Sequence, residues 1–180
     1  TILNWIDGYG PVFNIGERVQ AYTHPLWFLV LSPFMALTNS IYFSVFFLSI
    51  TLSLFNLWFL TRYIGISMSG CIISMTVLIF SKAFVDYSTS GLENPLSHFC
   101  ILLACYFAFA FDKRPSKKYL TLFFVFIGLI YLTRQDLILL IAPLTLYIVY
   151  KAHLAKIRII APISIASVPV ILWLVFSIIY

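Results

Sequence analysis

The sequence predicts an all-α polytopic transmembrane helical bundle. Composition and one pattern predict it: 62% of the residues are hydrophobic, 9% are charged, and long uncharged runs recur along the chain. A soluble domain carries about 25% Asp, Glu, Lys and Arg to stay dissolved. With a mean hydropathy of +1.03, the solvent that suits these side chains is lipid. The uncharged runs are Pro25 to Thr61, Tyr63 to Ser81, Asn94 to Phe111, Tyr119 to Thr133, Leu137 to Tyr150 and Ile159 to Tyr180. Leu, Ile and Phe dominate them, and none alternates as barrel strands do, so they read as helices.

Taken in order, residues 1–24 read as an extracytoplasmic loop, rich in Gly and Asn and without an apolar run able to cross. Residues 25–38 read as a short interfacial or re-entrant helix. Pro25 suits its first position, Pro33 interrupts its middle, and 10–14 apolar residues are too few for a crossing. Residues 41–180 carry about six crossings: 41–61, 66–81, 94–111, 119–133, 136–150 and 159–180. The run 119–133 spans only ~22 Å of a ~30 Å hydrocarbon core, which snorkelling Lys117 and Lys118 can bridge.

The net charge of +5 is concentrated in two loops, one holding Lys113, Arg114, Lys117 and Lys118, the other Lys151, Lys156 and Arg158. Both fit cytoplasmic loops under the positive-inside rule rather than a nucleic-acid surface. Counting crossings from them places Asp7, Glu17, Asp86, Glu93 and Asp136 outside, with Arg18, Lys82 and Arg134; Asp112 is the one acid left inside. Chemistry is expected on that mixed outer face. Cys71, Cys100 and Cys105 all fall in apolar runs, which argues against a disulfide framework.

Three stretches, "GYGPVFNIGERVQAYTHPLW", "DYSTSGLENPL" and "YLTRQDLILL", resemble bacterial membrane glycosyltransferases of the GT-C fold, including arabinofuranosyltransferases that build cell-wall polysaccharide. The resemblance spans roughly residues 4 to 142 and implies a GT-C-like bundle in the bacterial cytoplasmic membrane. It further implies a polyprenyl-phosphate sugar donor, a glycan or lipid acceptor, and an active face outside. In such proteins an Asp-Asp pair ends a first transmembrane helix just before the first block. This chain begins at Thr1 with neither, so it reads as a partial transmembrane domain, inactive alone, with the expected general base upstream.

Within that frame Glu17 is the one candidate catalytic carboxylate in the first block, able to orient a sugar hydroxyl or hold Arg18. Arg18 suits bidentate contact with the donor phosphate. The plainer reading is a loop ion pair of little value. Tyr22 can stack on a sugar and His24 can contact phosphate or a hydroxyl; the plainer reading is an interfacial aromatic belt with a capping polar residue, and the belt also accounts for Trp5, Trp27 and Trp58.

Glu93 is a candidate substrate-binding residue at the start of a helix whose amide donors favour an anion, where it is stabilising with or without that role, with Asn94 read as the N-cap and Pro95 next. Arg134 and Asp136 form the tight outer turn, where an arginine can clamp a lipid phosphate. His98 reads as an interhelical residue. No metal-ligand spacing stands out; no resident cofactor is implied, and a divalent cation stays open.

The expected function is therefore sugar transfer onto a cell-envelope glycan or lipid. Its rivals are a transporter, which charges inside helices would favour, and a non-catalytic membrane scaffold.

Overall fold

The computed structural model describes residues 1–17, 23–64 and 67–179. Its helices are α1 (Ile2–Ile6), α2 (Pro25–Thr38), α3 (Ile41–Phe59), α4 (Met68–Phe80), α5 (Lys82–Thr89), α6 (Asn94–Lys113), α7 (Lys117–Thr133), α8 (Leu137–Leu154) and α9 (Ile160–Ile179); α3 runs on into a π-helical turn, Leu60–Ile64. Among the described residues there is no strand.

Serines set several of the starts. The hydroxyls of Ser40, Ser67, Ser81 and Ser116 each accept a bond from the backbone N–H three residues on, at Phe43, Gly70, Phe84 and Tyr119. Each thereby satisfies one of the amides that a helix leaves unpaired at its first turn. Ser81 also divides α4 from α5, and the two helices diverge there by 68°.

The centre of the bundle is the antiparallel pair α6 and α7. Cys100, Ala104, Ala108 and Phe111 of α6 are buried with Leu120 and Phe123 of α7. Small residues on that stripe let the two backbones approach closely. Helix α3 runs parallel to α6: Asn56 Nδ2 donates to the Pro95 carbonyl at 2.9 Å, and further along both helices Phe59 meets Tyr106. Helix α9 lies against α7 at Gly128, where an added Cβ would stand 2.7 Å from the Ala166 carbonyl oxygen. Helix α8 reaches the far end of α6, where Lys151 Nζ and Tyr147 Oη both lie 2.9 Å from Asp112 Oδ1.

The bundle thus has two chemically different ends. One gathers the starts of α2, α6 and α8 with the end of α7. The other carries Lys113, Arg114, Lys117, Lys118, Lys151, Lys156 and Arg158, with Asp112 as its acid.

The short helix at 25–38 has the expected bounds, Pro25–Thr38. Four features differ from expectation. Among the described residues, four helices are long and apolar enough to cross a membrane, or five if the bent pair α4–α5 is one span; the expected six is not reached, since α7 has only 17 residues. The segment 82–93, expected as part of the outer face, holds a helix, α5, because its serine cap and spaced apolar residues order it despite its polarity. The opening stretch also contains a helix, α1, whose Trp5 stacks on Phe28 of α2 at 4.8 Å. Trp27 is not a belt residue: it is buried, and its Nε1 donates to the Gly91 carbonyl at 3.1 Å.

Candidate functional site

His24 stands immediately before Pro25, and a residue before proline is pushed out of the α region. Its backbone accordingly lies outside the α region (φ −122°, ψ 74°), and helix α2 starts one residue later. The ring Nδ1 lies 2.7 Å from the Thr133 carbonyl at the end of α7. A carbonyl only accepts, so Nδ1 carries the hydrogen and Nε2 is the nitrogen left to face its other neighbours. That Nε2 lies 3.6 Å from Oε1 of Glu93.

Glu93 occupies the N-cap position of α6, so Asn94 is the first helical residue rather than the cap. The Glu93 side chain does not cap the helix; its carbonyl instead accepts from the backbone N–H groups of Leu96 and Ser97 and from the Ser97 hydroxyl. The carboxylate is 5% exposed and lies between His24 and Arg134, whose Nη1 is 3.8 Å from Oε1. A buried carboxylate needs such neighbours, since an unpaired charge out of water is costly. The loop that delivers Glu93 turns at Gly91, with φ +83°, where a Cβ would stand 2.7 Å from Val45 Cγ1. Glycine meets both demands.

Arg134 follows α7 in extended conformation (φ −155°, ψ 118°), which carries its side chain back across the turn. Asp136 takes its guanidinium bidentately, Nε to Oδ1 at 3.1 Å and Nη2 to Oδ2 at 2.7 Å. Nη1 also reaches Asn94 Oδ1 at 3.4 Å. Hydrogen bonding from Arg134 holds the Asp136 carboxyl below the ordinary carboxylate range, and the same bonds raise the guanidinium further. Arg134 and His24 are each about one-third exposed, at 35% and 36%, while Asp136 is 61% exposed. The cluster is therefore graded from a covered acid to an open rim.

Of the residues expected at the site, His24, Glu93, Arg134 and Asp136 are brought together. Glu17 is not: it is exposed, and Asn14 Nδ2 donates to its Oε2 at 3.0 Å. Arg18 and Tyr22 lie outside the described residues. Sequence reasoning missed the Thr133 carbonyl, which no side-chain pattern reports, and the Asn94 amide, which was read only as a cap. His98 packs between helices as expected, stacked on Phe84 of α5 at 5.7 Å. Among the described residues, no three His, Cys, Asp or Glu side chains gather as a metal-ligand group.

The charge of the cluster limits its chemistry. Two carboxylates face one guanidinium, so with a neutral imidazole it sums to −1. A phosphate can approach the uncommitted N–H groups of Arg134 only with a further positive charge, from a proton on His24 Nε2 or from a group outside the cluster. Beside the cluster, a cavity of about 400 Å³ runs from His24 along Trp27, Leu31 and Met35 of α2 and is mostly apolar.

A family model described as dolichyl-phosphate-mannose-protein mannosyltransferase matches residues 23–180, a stretch that holds all four clustered residues and excludes Glu17, Arg18 and Tyr22. No curated protein and no solved structure matches the chain.

Proposed function

The chain belongs to the dolichyl-phosphate-mannose-protein mannosyltransferase family, and from that membership we propose that it transfers a sugar from a polyprenyl-phosphate donor to a cell-envelope glycan or lipid. The setting is a multi-pass protein of the bacterial cytoplasmic membrane with its active face outside. The observation that carries the site assignment is the buried Glu93 carboxylate held between His24 and Arg134.

In this reading Arg134 receives the donor phosphate, and Asp136 fixes the plane of its guanidinium. Glu93, too covered to meet the sugar, positions Arg134 and His24. The acceptor hydroxyl attacks the anomeric carbon, the bond from that carbon to the phosphate oxygen breaks, and polyprenyl phosphate departs with the bonding pair. A carboxylate takes the acceptor proton, and the cations stabilise the charge gathering on the phosphate. Tyr22 stacks on the donor sugar, and Glu17 is the candidate proton acceptor of this segment. Arg18 supplies the second positive charge; a divalent cation is the other source. An arabinofuranosyl donor is one candidate, since the first block resembles that of arabinofuranosyltransferases.

The same reading takes α7 as a crossing. It starts beside the end of α6 and finishes beside the start of α6, so its 17 residues cover the thickness that α6 covers. With α3, the bent pair α4–α5, α6, α8 and α9, the crossings become six, and His24, Glu93 and Arg134 share the outer side with α2.

The test is transfer from a panel of radiolabelled polyprenyl-phosphate sugars by the full-length protein in nanodiscs. Arg134→Ala is expected to lose at least about 100-fold in kcat/KM; Arg134→Ala turning over like the wild type sinks the assignment.

A further inference from the structure

The basic end of the bundle holds a second arrangement that sugar transfer does not use. Between α8 and the start of α9 lies a cavity of about 620 Å³, walled by Leu146, Val149 and Ile160 and bordered by His153, Lys156 and Arg158. A neighbouring cavity of about 760 Å³, between α7 and α9, is bordered by Lys117 and Arg158 and walled by Ile160 and Ile165. The two share Ile157, Arg158 and Ile160, so Arg158 is the cation that borders both apolar grooves. The acid at this end, Asp112, is already engaged by Lys151 and Tyr147. Among the described residues, Lys117, Lys156 and Arg158 have no carboxylate partner.

The turn that presents these cations is itself informative. Helix α8 ends with the Ile157 N–H bonded to the Ala152 carbonyl and the Lys156 N–H to the His153 carbonyl. This six-to-one closure places its penultimate residue in the left-handed region, where glycine or asparagine is usual. Here it is Lys156, at φ +56°. A lysine held where glycine is more comfortable points to a use for its side chain.

We infer that Lys117, Lys156 and Arg158 form a binding site for one anionic phospholipid, with its phosphate at Arg158 and its acyl chains in the two flanking grooves. Guanidinium and ammonium groups recognise the phosphodiester, and the walls of Leu, Val and Ile replace the surrounding lipid tails. A zwitterionic lipid fits the grooves equally well but brings a quaternary ammonium to an already cationic rim. The site stands at the opposite end of the bundle from the His24–Glu93–Arg134 cluster, so it does not depend on the transferase reading.

The test titrates the full-length protein in detergent with phosphatidylglycerol and with phosphatidylcholine of matched chains, reading bound lipid by native mass spectrometry. Each cation near such a headgroup contributes about fivefold in affinity. Lys156→Gly is therefore expected to weaken phosphatidylglycerol retention about fivefold, and the Lys156→Gly, Arg158→Gln double variant about 25-fold. Because glycine relaxes the turn, Lys156→Gly is expected to keep or raise the melting temperature of the lipid-free protein, which separates lost binding from lost folding. The control is Lys113→Gln with Lys118→Gln, the same loss of charge away from both cavities, expected to change retention less than about twofold. Equal retention of the two lipids by the wild type overturns the inference, as does a control double variant as weak as the site variant. Displacement of the lipid by millimolar inorganic phosphate also overturns it, by reducing the site to a bare anion contact.

Discussion

The imidazole of His24 and the carboxylate of Glu93 stand 3.6 Å apart, joining the start of α2 to the start of α6. Since Glu93 is covered and faces Arg134 as well, it ties three helix ends together. Glu93→Gln keeps the volume and removes the charge. With both partners one-third open to water, the variant is expected to cost about 1–2 kcal/mol. Thermal unfolding of the detergent-solubilised protein reads this, and an unchanged melting temperature means the two approaches hold nothing together.

Arg134 and Asp136 make a separate, pH-dependent contribution. Hydrogen bonding lowers the folded-state pKa of Asp136, so its stabilisation is present above the ordinary carboxylate value of about 3.9 and is lost as pH falls through the lower folded value. Asp136→Asn is therefore expected to melt earlier than the wild type at neutral pH and to converge with it in acid. Melting curves between pH 7 and pH 3 decide this: a gap that widens on acidification contradicts the assignment.

The surplus negative charge of the cluster makes a prediction about the donor. If Arg18 brings the balancing charge, transfer by the full-length protein survives chelation of divalent ions, and Arg18→Ala raises the donor KM about tenfold or more. Activity abolished by chelator and restored by Mg²⁺ or Mn²⁺, with Arg18→Ala near wild type, moves that charge from the arginine to a cation.

At Gly128, α7 lies directly against the backbone of α9. The atom an added methyl would strike, at 2.7 Å, is the Ala166 backbone oxygen, which cannot swing aside. Gly128→Ala is expected to push the helices apart and destabilise by about 1–3 kcal/mol. Gly70→Ala serves as the comparison, since its nearest neighbour is the Ser67 hydroxyl at 3.3 Å. Equal melting temperatures for the two variants would show that α9 yields without cost.

How far the sequence could be read depended on which signals were local. Helix α2 was legible to its ends because Pro25 and the apolar run bound it, and α9 because nothing charged interrupts 159–180. Helix α5 was missed because uncharged length served as the guide, and Lys82 and Asp86 break that length without breaking a helix. Glu93, Arg134 and Asp136 were visible as candidates because charge at the edge of an apolar run is conspicuous. Their meeting with His24 was not visible, since it depends on how α6 and α7 pair, which small residues such as Cys100, Ala104 and Ala108 determine through packing. The Thr133 carbonyl that orients the imidazole leaves no mark in a sequence at all.

Topology gives the last prediction, and it rests on α7. A 17-residue helix is about 26 Å long, shorter than the hydrocarbon core of about 30 Å. Yet its ends lie beside opposite ends of α6, which is long enough to cross. If α7 crosses, Ser116 and Gln135 face opposite compartments. Single cysteines at these positions, in a full-length background with Cys71, Cys100 and Cys105 replaced, are expected to label oppositely with a membrane-impermeant maleimide. Position 135 should react in intact cells and position 116 only after permeabilisation. The same experiment orients the cluster, because Gln135 sits between Arg134 and Asp136. Labelling of both positions from one side would leave α7 buried without crossing, return the count to at most five, and separate the His24 cluster from the face on which the donor is proposed to bind.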